Sequence, residues 1–286
     1  MTEETKKDDA GKKPRKDPAI NINQVEFLGR VVKEPTVSPD GKFVRVPIVV
    51  PAWSKDGTQW VPFFIDVVGD YRDKVKPAKP GYFFRCTCFL AERELEDDNK
   101  DKKYVKVLQI DPYREVGLME AAAPENPLNP PNDGLCYSRV LLAGRNFIRK
   151  KQMDEGKGDT PILREGKGGV YAFVNLRYED PYQQVPEGEW PKNIFFDISV
   201  NGDVAKRVNE FCHNRAQVVV RGELVKEDCD FQISGKTPKQ PKVRLIPGGL
   251  SFVNLGGGAK SEPKSPEAYD AKDVRGVEGL DDDIAF

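Results

Sequence analysis

Histidine is almost missing from this chain: His213 is the only one in 286 residues. A Ser-His-Asp relay, a Cys-His pair or a histidine-rich metal centre each needs an imidazole held by a second group placed by spacing. His213 stands at the end of a helical stretch beside Cys212, and no second His or carboxylate is placed by spacing to make a triad or a metal site. Long apolar runs are missing as well. No stretch approaches the roughly 20 residues of a membrane-crossing helix, and residues 1–18 are polar and of mixed charge without an apolar centre. Neither a membrane anchor nor an export signal is expected. Cysteine is sparse and odd in number: Cys86, Cys88, Cys136, Cys212 and Cys229. In an unexported chain that predicts reduced thiols and a cytoplasmic location.

Turn formers and charge are plentiful. Glycine (25) and proline (23) are frequent, charged residues make up 32% and hydrophobic residues only 38%. That composition favours short strands joined by turns, with polar ends, over packed helices. The formal net charge of −1 averages unlike regions. Residues 255–286 carry four basic and eight acidic side chains, residues 1–18 carry six and five, and the body between them has a net charge of +2. A body so mildly basic neither excludes nor demands a polyanionic partner, because placement of charge decides that.

The body repeats itself. Val25-Glu26-Phe27-Leu28-Gly29-Arg30 is answered by Val140-Leu141-Leu142-Ala143-Gly144-Arg145, and Phe63-Phe64-Ile65-Asp66 through Gly69-Asp70 by Ile194-Phe195-Phe196-Asp197 through Gly202-Asp203. The next strand starts 11 residues beyond the aspartate in both copies, at Gly81 and at Asn214. Such self-similarity predicts two copies of one domain. Alternation of apolar and polar residues bounded by Gly, Pro, Asp and Asn gives each copy the order β-β-β-short helix-β-β. Val204 to Cys212 reads as the helix of the second copy, with Val204, Val208 and Phe211 on one face and Asp203 as N-cap. Its counterpart, Tyr71 to Pro80, is interrupted by Pro77 and Pro80.

Five strands with a helix between the third and fourth is the economy of the OB-fold, a small Greek-key barrel. The expected fold class is therefore all-β, with two tandem OB barrels. The boundaries read as a disordered arm at 1–19, barrels at 20–118 and 135–254, a linker at 119–134 and a disordered acidic tail at 255–286. Pro124, Pro127, Pro130 and Pro131 make Glu120 to Gly134 a stiff connector. It is expected to hold the barrels apart yet close.

The run Val25 to Arg30, the strand Phe63 to Gly69, the strand led by Gly81 and the end Asp281-Asp282-Asp283-Ile284-Ala285-Phe286 together resemble the bacterial single-stranded DNA-binding proteins. The resemblance implies OB domains that wrap single-stranded DNA, four to a particle, so that a chain with two forms a homodimer. It implies a nucleoid-associated, cytoplasmic protein without enzymatic activity or cofactor. It also implies that Asp281, Asp282, Asp283, Ile284, Ala285 and Phe286 recruit replication, repair and recombination proteins. Ala285 departs from the proline usual there, and Val68 and Asn201 stand where an aromatic is frequent.

A binder without sequence preference needs flat rings for base stacking and cations along the phosphates. Trp53 and Trp60 flank a polar turn at Lys55-Asp56-Gly57, where few apolar neighbours exist for a core. They resemble stacking positions of the family; Trp190 corresponds to Trp60, and Tyr178 lies close to the equivalent of Trp53. Of the adjacent pairs Phe63-Phe64 and Phe195-Phe196, one member each belongs to the core, since neighbouring strand residues face opposite sides. The cationic candidates are Arg30, Arg45, Arg72 and Arg85 in the first copy, and Arg145, Arg149, Lys150, Arg177 and Arg221 in the second. Arg30 and Arg145 occupy equivalent positions. The stretch Phe147 to Gly169 is an expanded loop with Arg149-Lys150-Lys151 and Arg164, readable as a clamp on a strand or as a tolerated insertion.

Other chemistry finds little support. Cys86-x-Cys88 puts two thiols on one strand face without a second pair to complete a zinc site. Gly256 to Gly258 before Lys260-Ser261 lacks the remaining glycine pattern and the helix of a phosphate loop. Asp66 and Asp197 recur in a barrel strand, which suits structural hydrogen bonding. The competing reading is an OB-type adaptor that binds protein or RNA.

Overall fold

The computed structural model describes residues 20–54, 57–131, 134–155, 157–179 and 193–254. The side chains of Trp53, Ser54 and Glu179 fall outside that description, as do Trp190 and the whole of 255–286. The first half contains β1 (Ile22–Val31), β2 (Thr36–Val37), β3 (Phe43–Ser54), β4 (Gly57–Val68), α1 (Tyr71–Val75), β5 (Phe83–Glu96), β6 (Lys102–Ile110) and β7 (Gly117–Met119). The second contains β8 (Tyr137–Asn146), α2 (Lys150–Asp154), β9 (Arg164–Gly166), β10 (Gly169–Glu179), β11 (Asn193–Asn201), α3 (Gly202–Phe211), β12 (Gln217–Asp228) and β13 (Lys239–Val253).

In the first half β1, β3, β4, β6 and β5 pair in that order around a closed ring. A single parallel step between Asp66 and Gln109 makes the closure. The equivalent strands β8, β10, β11, β13 and β12 repeat these pairings except that of β4 with β6. Among the described residues, no ladder joins β11 to β13, so this barrel has a seam. Each strand sends alternate apolar residues inward, as in β4, where Val61, Phe63, Ile65 and Val67 are buried. The glycine of the repeated Gly-Arg pair is needed for close passage: a Cβ on Gly144 would lie 2.4 Å from the Arg177 carbonyl oxygen, and one on Gly29 2.9 Å from that of Val49. Without a side chain there, the strand crosses tightly over its neighbour and changes partners.

Four expectations need correction. The proline-rich connector does not hold the halves apart. β1 and β8 pair directly over Ile22–Leu28 and Tyr137–Ala143, so both barrels share one sheet. The connector is itself packed, because a Cβ on Gly81 would meet the backbone of Ala122 and Ala123 at about 2.5 Å. α3 begins two residues earlier than read, with Asn201 at the cap and Asp203 in the first turn. Its inward face carries Ala205 and Val208, with Cys212 just beyond, a spacing that follows the helical period, while Val204 and Phe211 are 40% and 49% exposed. Finally, the last strand, which the repeat places at Lys242 to Ile246, is β13 from Lys239 to Val253.

The two long hairpins, β5–β6 and β12–β13, are tied to each other. The amide of Asp98 donates to the Gln232 carbonyl at 3.0 Å, and the amide of Gly235 donates to the Asp98 carboxylate at 2.9 Å. The Lys106 amide donates to the Gln240 side chain at 3.1 Å. Lys226 of β12 lies 5.4 Å from the ring of Phe63 in the first barrel, and Lys106 of β6 lies 5.1 Å from that of Phe196 in the second.

Candidate nucleic-acid interface

Strand alternation puts one row of β3–β4 residues on the face away from the barrel interior, in which Pro47 and Val49 are themselves covered. The ladder pairs Phe43 with Val68, Arg45 with Asp66, Pro47 with Phe64, Val49 with Pro62 and Pro51 with Trp60. Phe64 is 52% exposed, Trp60 is half-buried, and Phe63 is buried. The backbone of Trp53 continues the row opposite Thr58. In the second barrel the equivalent row pairs Tyr171 with Asn201, Phe173 with Ser199, Asn175 with Asp197 and Arg177 with Phe195. Phe195 is exposed and Phe196 buried, so each adjacent pair contributes one ring to the core and one to the surface.

These rows contain rings that the sequence reading passed over. Tyr171 and Phe173 meet edge to face at 5.7 Å, and Phe147 and Phe195 lie 5.2 Å apart. The i, i+2 spacing of Tyr171, Phe173 and Arg177 was the available signal, since it marks a single strand face. Tyr178 has the opposite parity. It is only 2% exposed, shares the inward face with Ala172, Val174 and Leu176, and lies 6.2 Å from Phe196. The expectation of a stacking tyrosine at 178 is corrected on that ground.

The cations divide into groups. Arg45 belongs to the first row, but its Nε and Nη2 donate to both oxygens of Asp66 at 2.7 and 2.8 Å. Hydrogen bonding to that carboxylate raises the pKa of the guanidinium against the opposing effect of burial. Asp66 thus serves the structural role anticipated, whereas Asp197 is exposed. Arg177 belongs to the second row and donates to Asn193 at 2.7 Å. Arg164 is brought there by the expanded loop, its guanidinium 5.6 Å from the Phe173 ring. Arg149 and Lys150 are exposed at the start of α2 in the same loop, which folds back through a hydrogen bond from Gln152 to the Thr160 carbonyl at 2.7 Å.

Arg30 and Arg145 sit half-buried at the strand crossings. The Arg30 guanidinium donates to the Gly81 carbonyl at 3.2 Å and stacks 4.2 Å from Phe83. Arg72 ties the carbonyls of Gly69 and Gly41 together. Arg85 and Arg221 are exposed, but on the shared sheet, opposite Leu28 and Leu141, apart from the aromatic rows. Cys86 and Cys88 are buried with their sulfurs 3.7 Å apart, and among the described residues no group of acidic, His and Cys side chains has metal-holding geometry. Trp190 and Asp281 to Phe286 lie outside the described residues.

Two five-stranded barrels in one chain, each with an aromatic row on its second and third main strands, define a tandem OB-fold protein; that face is where OB-folds take oligonucleotides and oligosaccharides. No protein-family model matches the sequence, and no curated protein does. Solved structures do match. The wild-type single-stranded DNA binding protein from Thermus aquaticus aligns with a TM-score of 0.54 at 16% identity, covering 84% of this chain and 97% of that one. A deletion mutant of the same protein gives 0.53 and 16%, over 85% and 98%. The chain shares their fold. No helix among the described residues is long and apolar enough to cross a membrane.

Proposed function

We propose that this chain coats single-stranded DNA with little sequence preference, as a binding protein without catalytic activity. The observation that carries this reading is the pair of equivalent outward rows, Trp60 and Phe64 with Arg45, and Phe173 and Phe195 with Arg164 and Arg177. Rings spaced along a strand face accept any base, because every base has a π-face, and the guanidinium groups of Arg164 and Arg177 meet the phosphates, while Arg45 is held by Asp66. Trp53, Trp190 and the exposed Arg149 and Lys150 also contact the DNA in this reading, while Arg30, Arg145 and Arg72 hold loops beside the rows. Arg85 and Arg221 are assigned to a secondary path across the shared sheet.

The wider role follows from the same reading. A chain with two barrels acts as a homodimer presenting four. Asp281-Asp282-Asp283-Ile284-Ala285-Phe286 docks partner proteins of replication, repair and recombination through its acids and terminal ring, in the cytoplasm at the nucleoid. Tryptophan fluorescence titrated with oligo-dT tests the core of the proposal. Stoichiometric quenching that weakens steeply with salt supports it. Absence of quenching at low salt, with Phe64→Ala and Phe195→Ala without effect on binding, excludes it in favour of a protein- or RNA-binding adaptor.

A further inference from the structure

The seam of the second barrel opens into a groove of about 900 Å³ between β11, α3 and β13. Its walls are Val204, Val225, Leu245, Ile246, Leu250 and Phe252. That size lies in the upper part of the roughly 300–1,000 Å³ that ligand sites span. The first barrel has a smaller cavity of about 440 Å³ at the equivalent place, lined by Val68, Tyr71 and Lys74. Aligning Asp70 with Asp203 puts Tyr71 on Val204, Lys74 on Arg207 and Val68 on Asn201. The duplicated position has therefore kept its cation and exchanged a ring for a smaller side chain.

Two further differences widen the second site. The first barrel is closed by the Asp66–Gln109 step, whereas β11 and β13 share no ladder. The pairing of β12 with β13 also jumps from Val220–Leu250 to Gly222–Leu245, so Ile246 to Gly249 bulge outward, with Gly248 at φ 65°. Unladdered strand edges offer backbone N–H and C=O groups to an incoming extended segment. Val204 and Ile246 are 40% and 44% exposed, an apolar surface with nothing of this chain's described residues over it.

Charge at the rim selects the occupant. Lys242 is bonded to Glu227 at 2.7 Å and Arg244 to Glu223 at 2.6 Å. Arg207 is exposed and makes no hydrogen bond or ion pair with any described residue. The groove thus presents apolar walls, the carboxylate of Glu223 already satisfied and one uncommitted guanidinium. A phosphate backbone would meet that carboxylate and gain nothing from the apolar walls. We infer that this groove docks an extended segment of a partner protein that carries a bulky apolar side chain next to a carboxylate, the side chain entering between Val204 and Ile246 and the carboxylate meeting Arg207.

The test uses the full chain and a phage-displayed library of random heptapeptides, with selected peptides resynthesised carrying fluorescein and measured by polarisation. The expected peptides share a large apolar residue beside Asp or Glu. Val204→Tyr, which restores the ring of the first barrel, should weaken them at least tenfold, and the exposed Arg207→Glu likewise. Lys74→Glu, in the first barrel, should leave binding unchanged. Peptides without that pattern, or peptides held equally well by Val204→Tyr and Arg207→Glu, overturn the inference. So does concentration-dependent self-association in sedimentation that Val204→Tyr abolishes, because the occupant is then a second copy of this chain.

Discussion

Val25 pairs across the β1–β8 ladder with Val140, its own counterpart in the repeat. Stepping away from that pair in either direction, residue 25 + k meets 140 − k, so the ladder relates the two halves by a local two-fold. A contact between identical strands is self-complementary in the way a symmetric dimer interface is. Here both copies belong to one chain, and the valines are 0% and 3% exposed.

Because this ladder merges the halves into one sheet, they should unfold together. Calorimetry is expected to give a single transition with equal calorimetric and van't Hoff enthalpies. Val25→Ala and Val140→Ala should each cost about 1.5–3 kcal/mol, from lost burial plus residual cavity. In the double mutant the two effects should fail to add, with a coupling of roughly 0.5 kcal/mol or more. Separate transitions, or strict additivity, would refute the merged core.

Arg45 supplies a second prediction through its bidentate partner. While Asp66 holds both Nε and Nη2, the first row presents a neutral pair to a phosphate. Asp66→Asn should release the cation and tighten oligo-dT binding severalfold, with the magnitude of the log Kd–log salt slope increasing by about 0.7 for one added phosphate contact on a single strand. Arg45→Ala alone should change affinity little. The pair is partly solvent-exposed, so its removal should cost no more than about 1 kcal/mol of stability. Fluorescence titrations at several salt concentrations check both arms.

Phe64 and Tyr178 should separate binding from folding. Phe64→Ala and Phe195→Ala remove exposed rings and should each weaken oligo-dT by about tenfold or more, at the 1–3 kcal/mol per stacked base that such rings contribute, with Tm nearly unchanged. Tyr178→Ala empties a core position and should cost about 3–5 kcal/mol of stability. Tyr178→Phe keeps the ring, so oligo-dT affinity should match the parent chain. Weaker DNA binding by a stable Tyr178→Phe chain would return that residue to the interface.

What could be read from the sequence was local or repeated. The strands, the helix after the third main strand and the division of Phe63-Phe64 and Phe195-Phe196 between core and surface follow from alternation, which every strand obeys by itself. Tyr178 lies close to the equivalent of Trp53 along the chain, but the inward parity it shares with Ala172, Val174 and Leu176 decides its side. The union of β1 with β8 and the seam beside β13 are different in kind. They depend on edges from opposite halves meeting in register, or failing to, and no local pattern encodes that. The Asp66 carboxylate likewise could be assigned a structural role, but its capture of Arg45 required knowing that position 45 lies opposite position 66.

Cys212 gives the pH dependence its sign. Burial pushes its thiol up to about 12, whereas an unfolded cysteine ionises near about 8.5. Between those values the unfolded chain has released the proton and the folded chain has kept it, so the folded state binds more protons and stability falls as pH rises. This contribution is fully present below about pH 8.5 and is lost through the alkaline window at up to about 1.4 kcal/mol per pH unit. Cys88 and Cys229, also raised chiefly by burial, act in the same direction. Lys226 opposes them, because burial lowers its pKa and makes the folded state the poorer proton binder. The difference between parent and Cys212→Ala isolates one thiol. Urea melts from pH 8 to 10 should show the parent losing stability faster than the variant, and parallel curves would refute the shift. All five cysteines are buried, so at pH 8 the native chain should react with a thiol reagent only slowly, and with five equivalents once unfolded.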